Sequence, residues 1–102
     1  MNLNDYQKAA LGNRSHDCLD ICVLLGLPGE VGEVMELFKK HYRGDKPLCL
    51  DSLRKELGDV LWYLSAIADE NGLTLEEVAQ GNLDKLADRK ARGKIKGSGD
   101  NR

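Results

Sequence analysis

Apolar residues recur along almost the whole chain at spacings of three and four, and no segment sustains an alternation of apolar and polar residues. This is the periodicity of amphipathic helices, not of strands. Only two prolines occur in 102 residues, and proline is the residue that helix interiors tolerate least. A chain of this length buries one core. The sequence therefore predicts an all-α fold, a four- to five-helix bundle.

Local signals divide the chain into helices. The first is predicted from about Asn4 to Leu11, and the second begins near His16. Pro28 either kinks this second helix or lies in the first turn of a new segment, because proline lacks the backbone N–H that a helix interior uses. In both cases the helix continues to about Tyr42. The sequence "RGDKP" that follows predicts a turn.

Two further helices complete the predicted domain. Asp51 or Ser52 caps a long helix that ends at Asn71-Gly72. A capping box of Thr74 and Glu77 then starts a last helix, which reaches about Arg92. We predict one helical domain at residues 1–92 and a basic, glycine-rich tail at residues 93–102.

The charges are unevenly distributed. Residues 1–84 hold 15 of the 17 acidic side chains, whereas 7 of the 15 basic ones lie in residues 85–102. The carboxyl end is thus a cationic arm on an acidic body, which is either a solvated helix end or a phosphate-binding arm. We do not expect binding to nucleic acid, because the arm is short and has no interleaved aromatic residues.

No apolar run approaches the roughly 20 residues of a membrane span, and the amino terminus lacks the features of a signal peptide. We therefore expect a cytoplasmic protein with no membrane partner. The three cysteines, Cys18, Cys22 and Cys49, have no paired C-x-x-C spacing. A zinc site that adds His16 or His41 is the weaker interpretation, and buried thiols in a reducing compartment are the favoured one.

Two segments offset by 26 residues, "LPGEVGEVM" and "LRKELGDVL", repeat one pattern. On a helical wheel, Glu30 and Glu56 fall inside the apolar sector of their helices, and Glu33 and Asp59 fall at its edge one turn later. Glu36 points away from the apolar sector. Each helix thus places two acids toward the core.

The short connection between these two helices predicts an antiparallel hairpin in which the four acids converge. Two carboxylates about 5 Å apart repel by roughly 3 kcal/mol at an effective dielectric constant of about 20, so a small domain needs protons or a cation there. Oxygen ligands suit Mg²⁺ or Mn²⁺ before zinc. We predict that the metal ligands are Glu30, Glu33, Glu56 and Asp59. Structural salt bridges to lysine or arginine are the alternative.

The pair "EVGE" and "ELGD", separated by 22 residues, resembles the E-x-x-E then E-x-x-D signature of the MazG-like nucleoside triphosphate pyrophosphohydrolases. The resemblance covers roughly residues 24–92, and its looser part is an Asn, Lys, Arg pattern at Asn82, Lys85 and Arg89. It implies an all-α fold, Mg²⁺ dependence, and hydrolysis of a nucleoside triphosphate to the monophosphate and pyrophosphate. It also implies homodimers or homotetramers with sites at subunit boundaries. Many relatives have a further glutamate where this chain has Gly29, which leaves the number of metal ions open.

Cleavage of a phosphoanhydride needs a metal ion, an activated water and cations for the leaving pyrophosphate. We predict Glu33 as the catalytic base that orients the water. For substrate binding we predict Lys85 and Arg89, with Asn82 on the same helix face and Lys40 or its neighbour as lesser candidates. The alternative for this face is an ordinary solvated helix flank.

Trp62, Gly32 and Gly58 lie off the predicted apolar stripes. They predict close contact with another subunit, with base stacking by Trp62 as the alternative. The tail either closes over phosphates or is mobile. The complete hypothesis is a homo-oligomeric enzyme that clears or balances nucleotide pools, and the alternative is a non-catalytic helical interaction module with structural salt bridges.

Overall fold

The structure is a computed structural model that describes residues 1–12 and 20–102, and in these ranges it contains four α-helices and no strand. Helix α1 spans Leu3–Leu11, α2 spans Asp20–Tyr42, α3 spans Leu50–Glu70 and α4 spans Leu75–Ala91. The all-α prediction is confirmed. The predicted helix start near His16 lies outside the described residues. Among the described residues, no helix combines the length and apolarity that crossing a membrane requires.

Most helix ends lie where the local signals predict them. The Oγ1 atom of Thr74 accepts a hydrogen bond from the Glu77 backbone N–H at 3.1 Å, and Glu77 Oε1 accepts one from the Thr74 N–H at 2.7 Å. Gly72, with φ of +71°, follows the end of α3. The predicted cap of α3 is wrong, since Cys49 is the N-cap residue and makes no side-chain cap bond, while Asp51 lies in the first turn.

Helix α2 continues through Pro28, so the expectation that a new segment starts there is wrong. Val23 and Val34, on either side of the proline, are each only 5% exposed. Helix α3 is the one described helix that α2 contacts. Packing against the same partner before and after the proline explains why a single helix persists despite the lost hydrogen bond.

Helices α2 and α3 form the predicted antiparallel hairpin, which is the most extensive helix contact in the described chain. The two helices approach closely at Gly26, where an added Cβ atom would lie 2.1 Å from Cε1 of Tyr63. A side chain at position 26 would therefore displace the tyrosine ring. This close approach fixes the register of the hairpin.

A buried glutamine joins the other two helices to α3. The Nε2 atom of Gln7 in α1 donates to the backbone oxygens of Ser65 and Leu73, both at 3.2 Å, and its Oε1 accepts from the Leu75 N–H at 3.0 Å. Asn4 adds a second link, since its Oδ1 accepts from the Glu76 N–H at 3.1 Å. These bonds position the start of α4 next to α1.

The chain is more open than a single compact domain. Its radius of gyration is 16.5 Å, against about 13 Å for a compact domain of 100 residues. Helix α4 contacts α1 and α3 but not α2. The buried apolar residues of the described chain are few and mostly small: Val23, Val34, Ala66, Ala68 and Leu75. Many larger apolar side chains consequently remain exposed.

Candidate metal centre and phosphate-binding residues

Three of the four predicted metal ligands come together between α2 and α3. One carboxylate oxygen from each of Glu30, Glu56 and Asp59 lies within 4.8 Å of the other two. Glu30 and Glu56 are partly buried and Asp59 is exposed. We call these three residues the acid group. The repeat places acids on the facing sides of both helices, and the antiparallel pairing brings Glu30 next to Glu56, with Asp59 one turn further along α3.

The acid group holds an unfavourable concentration of negative charge. Desolvation, followed by the charges of Asp59, Glu56 and Glu33, raises the pKa of Glu30 above its usual value. The folded chain therefore binds a proton at Glu30 more tightly than the unfolded chain does. A divalent cation bound there would replace that proton.

No lysine or arginine in the described part of the chain forms an ion pair with the predicted ligands. The ion pairs found there involve other acids, such as Glu36 with Lys40 at 4.0 Å and Asp51 with Lys55 at 3.2 Å. The salt-bridge alternative predicted partners for these carboxylates. Those partners are absent among residues 1–12 and 20–102.

Glu33, the fourth predicted ligand and the predicted base, is exposed and lies outside the acid group. Its charge is nevertheless close enough to contribute to the raised pKa of Glu30. Glu33 thus lies beside the acid group, but its carboxylate oxygens are not among the three that cluster. This is the edge position that the helical wheel predicts.

Helix α1 packs against α3 near Asp59. Desolvation and the charge of Asp59 raise the pKa of Tyr6, while a hydrogen bond to the Ser65 side chain lowers it. The indole Nε1 of Trp62 donates to the backbone oxygen of Ala10 in α1 at 3.2 Å. Trp62 therefore packs in part against its own chain. Its predicted contact with a second subunit, or with a base, stays a prediction. Sequence periodicity places residues on a helix but does not show which helix crosses them.

The predicted phosphate-binding cations lie on α4 and contact the tail. Lys85 Nζ donates to Oδ1 of Asp100 at 3.1 Å, and Arg89 Nη2 donates to the same oxygen at 3.3 Å. Both cations lower the pKa of Asp100. Asn82, on the same helix, is exposed. The chain thus holds an anion at Lys85 and Arg89, although α4 does not contact the helix that carries Glu30.

The remaining predicted residues have ordinary surroundings. Lys40 lies 4.0 Å from Glu36 on its own helix. Gly32 and Gly58 face open space, with no atom near an added Cβ. Cys22 and Cys49 are exposed free thiols, so the prediction of buried thiols is wrong for both, and Cys18 lies outside the described residues.

Comparison with known proteins places these features in a family. The model of the MazG nucleotide pyrophosphohydrolase domain matches residues 22–93. The chain is also 40% identical over 114 residues to the gene 37 protein of Mycobacterium phage L5, an alignment that covers all of both chains. No solved structure matches the chain. The matched residues contain the three acids of the acid group, all of α3 and α4, and α2 from Cys22 onward. The chain belongs to the MazG nucleotide pyrophosphohydrolase domain family.

Proposed function

We propose that this protein is a Mg²⁺-dependent hydrolase that converts ribo- or deoxyribonucleoside triphosphates to the nucleoside monophosphate and pyrophosphate. Its role would be to clear or balance nucleotide pools in the cytoplasm. The observation that carries the proposal is the acid group, three carboxylates from two helices that have no cationic partner among the described residues. In a family of nucleotide pyrophosphohydrolases, a metal ion is the cation that such a group would bind.

The acid group fits a magnesium ion in chemistry and in size. Carboxylate oxygens are the ligands that Mg²⁺ prefers, and Mn²⁺ accepts them as well. Adjacent oxygens on one octahedral Mg²⁺ lie about 3.0 Å apart and opposite ones about 4.2 Å, given bonds of about 2.1 Å. The three carboxylate oxygens, all within 4.8 Å of one another, would move closer by side-chain rotation to bind one ion. A bound Mg²⁺ would neutralise phosphate oxygens during hydrolysis.

Glu33 is the proposed base. It borders the acid group and is exposed, so its carboxylate can accept a proton from a water molecule next to a bound phosphate. That Glu33 is also a fourth metal ligand stays a prediction. Lys85 and Arg89 are the proposed phosphate-binding cations, and their present contact with the Asp100 carboxylate supports this role, because carboxylate and phosphate oxygens accept the same charged hydrogen bonds.

We further propose that the protein is a homodimer or homotetramer. One side of the hairpin carries exposed apolar residues at helical spacing on both helices, which we call the hairpin stripe. Helix α1 packs elsewhere on the hairpin, with Tyr6 near Asp59 and Ala10 bonded to Trp62. The stripe consists of Leu24, Val31 and Met35 on α2 and Leu50, Leu57 and Leu64 on α3.

We infer that a second copy of the chain packs against the hairpin stripe. The chain is too open to cover it, as the radius of gyration of 16.5 Å indicates. Apolar faces of this size on soluble proteins commonly mark interfaces. Within one chain, α4 does not contact α2, the helix that carries Glu30. Assembly would allow α4 of a neighbouring copy to approach the acid group from the α2 side. Lys85 and Arg89 would then face a nucleotide bound at the acids.

The proposed activity is tested on a panel of ribo- and deoxyribonucleoside triphosphates with Mg²⁺ and, separately, Mn²⁺. Products are separated by anion-exchange chromatography. We expect equal amounts of nucleoside monophosphate and pyrophosphate from at least one substrate, and no turnover in the presence of EDTA. The appearance of diphosphate and orthophosphate, or no release of pyrophosphate from any common or modified substrate, would refute the proposal.

A further inference from the structure

The glycine-rich tail folds back onto α4, where the carboxylate of Asp100 contacts Lys85 and Arg89. Oδ1 of Asp100 accepts hydrogen bonds from both Lys85 and Arg89, at 3.1 and 3.3 Å. Arg89 Nη2 also donates to the backbone oxygens of Asp100 at 2.8 Å and Gly99 at 3.4 Å. One guanidinium nitrogen thus makes all the tail contacts that Arg89 has.

The tail reaches this position through a folded loop. Gly97 and Gly99 have φ of +124° and +85°, values that side chains other than glycine rarely adopt. The Arg102 guanidinium closes the loop by donating to the backbone oxygens of Gly99 at 2.7 Å and Ile95 at 3.0 Å. Arg92 Nη2 donates to the Arg102 backbone oxygen at 2.7 Å. The position of Asp100 therefore follows from several contacts in addition to its own ion pairs.

Arg89 is not fully satisfied by the tail. Its side chain is 5% exposed, and its Nε is buried with no hydrogen-bond partner. A guanidinium has five N–H donors in a planar fork that matches a phosphate group in two-point contact. An anion with more acceptor oxygens than one carboxylate would use donors that Asp100 leaves unpaired.

The Asp100 carboxylate is also exposed to solvent, so a competing anion can displace it from Arg89. The Asp100 side chain is 81% exposed, and ion pairs with an exposed partner contribute little to stability. A buried arginine with an unpaired donor and an exposed carboxylate next to it make an anion site whose present occupant is accessible to a competing anion. The chain itself supplies that occupant.

We propose that the Asp100 carboxylate, carried by the tail at residues 93–102, acts as a tethered anion that competes with nucleotide phosphates for Lys85 and Arg89. The inference rests on the proposed function, in which these two residues bind phosphate. Binding of the substrate displaces Asp100 and frees the tail. The contact is autoinhibitory, since the apparent affinity for a polyphosphate falls by the fraction of molecules in which the tail occupies the site.

The test is the affinity for inorganic pyrophosphate, measured by calorimetry in EDTA so that neither metal nor hydrolysis is involved. The variant is Asp100→Asn in the full chain. The matched control is Asp88→Asn, which removes one charge from the same end of α4, where Asp88 pairs with Arg92 at 2.8 Å. We expect Asp100→Asn to bind pyrophosphate about two- to fivefold more tightly than the control, as the loss of one exposed ion pair allows.

Equal affinity in the two variants, or no binding by either, would overturn the tethered-anion proposal. The outcome is separate from that of the activity assay, because it requires no turnover. If the chain hydrolyses nucleotides but Asp100→Asn binds no more tightly than the control, only this inference fails. If Asp100→Asn binds more tightly and no nucleotide is hydrolysed, the proposed function fails and the competition stands.

Discussion

Glu30 on α2 and Glu56 on α3 occupy the same position in two copies of one sequence pattern, and their carboxylate oxygens lie within 4.8 Å of each other. Asp59 joins them from the next turn of α3. The pKa of Glu30 is raised as a result, by desolvation and by its acidic neighbours. This concentration of carboxylates, which have no cationic partner among the described residues, is the observation that supports the proposed cation site.

Glu33 and Glu30 should differ in function because only Glu30 belongs to the acid group. We expect Glu33→Gln to lower kcat by about a hundredfold or more, the range of a lost general base. It should keep the rise in Tm that Mg²⁺ or Mn²⁺ causes in the unchanged protein, whereas Glu30→Gln should lose that rise. Thermal unfolding with and without metal, combined with kcat, separates the two residues. Loss of the metal-dependent rise in Glu33→Gln would make Glu33 a ligand instead.

The close approach of Gly26 to Tyr63 predicts that a methyl group at position 26 displaces the tyrosine ring from its place in the hairpin. Gly26→Ala should lower the free energy of unfolding by about 1 to 3 kcal/mol through overpacking. The matched control is Gly81→Ala on α4, where an added Cβ meets no atom. That change should stabilise the chain by up to about 1 kcal/mol through helix propensity. Urea unfolding measures both, and equal effects would contradict the described register.

The hairpin stripe predicts the oligomeric state. Sedimentation equilibrium should show a dimer or tetramer, and Leu57→Glu, in the middle of the stripe, should shift the protein toward monomer. Leu3→Glu, at the exposed start of α1, is the matched control and should leave the assembly unchanged. A monomeric unchanged protein, or an assembly that tolerates Leu57→Glu, would exclude this surface as the interface.

The contact of Asp100 with Lys85 and Arg89 predicts how the tail responds to pH. Because both cations lower the pKa of Asp100, the contact adds stability above the ordinary pKa of aspartate and loses it as the pH falls through the lowered value. The tail should thus stay bound at neutral and mildly acidic pH. NMR titration of the Asp100 carboxyl carbon should give a midpoint below that of a free peptide of residues 93–102, and Lys85→Ala should raise it. Identical midpoints for protein and peptide would contradict the contact.

Sequence reasoning succeeded where local periodicity and pairing by a short loop were sufficient. The repeat predicts which faces of α2 and α3 meet, so the convergence of Glu30, Glu56 and Asp59 follows from it. The Thr74 capping box is a local pattern of the same kind. Even here Glu33 lies outside the group, because a helical wheel gives a direction and not the side-chain conformation that brings an oxygen into contact.

Features that depend on contacts between residues far apart in the sequence could not be predicted from local patterns. The path of α1 decides the surroundings of Trp62, and no periodic signal in α3 indicates it. Packing on both sides overrides the break expected at Pro28. Asp100 meets Lys85 through a glycine-rich loop with no regular spacing. The capping box at Asn2 and Asp5 gives a weaker sequence signal than glutamate or glutamine at that position would.

We propose that the acid group is the metal-dependent hydrolytic centre. Its most direct test is the rate of pyrophosphate release from a nucleoside triphosphate with Mg²⁺ in the double variant Glu56→Gln with Asp59→Asn. Glu36→Gln, which changes an outward-facing acid of α2 paired with Lys40, is the control. We predict that the double variant loses at least about a hundredfold in rate while its Tm without metal is equal or higher, and that the control is unaffected. Unchanged turnover in the double variant would exclude the acid group as the hydrolytic centre.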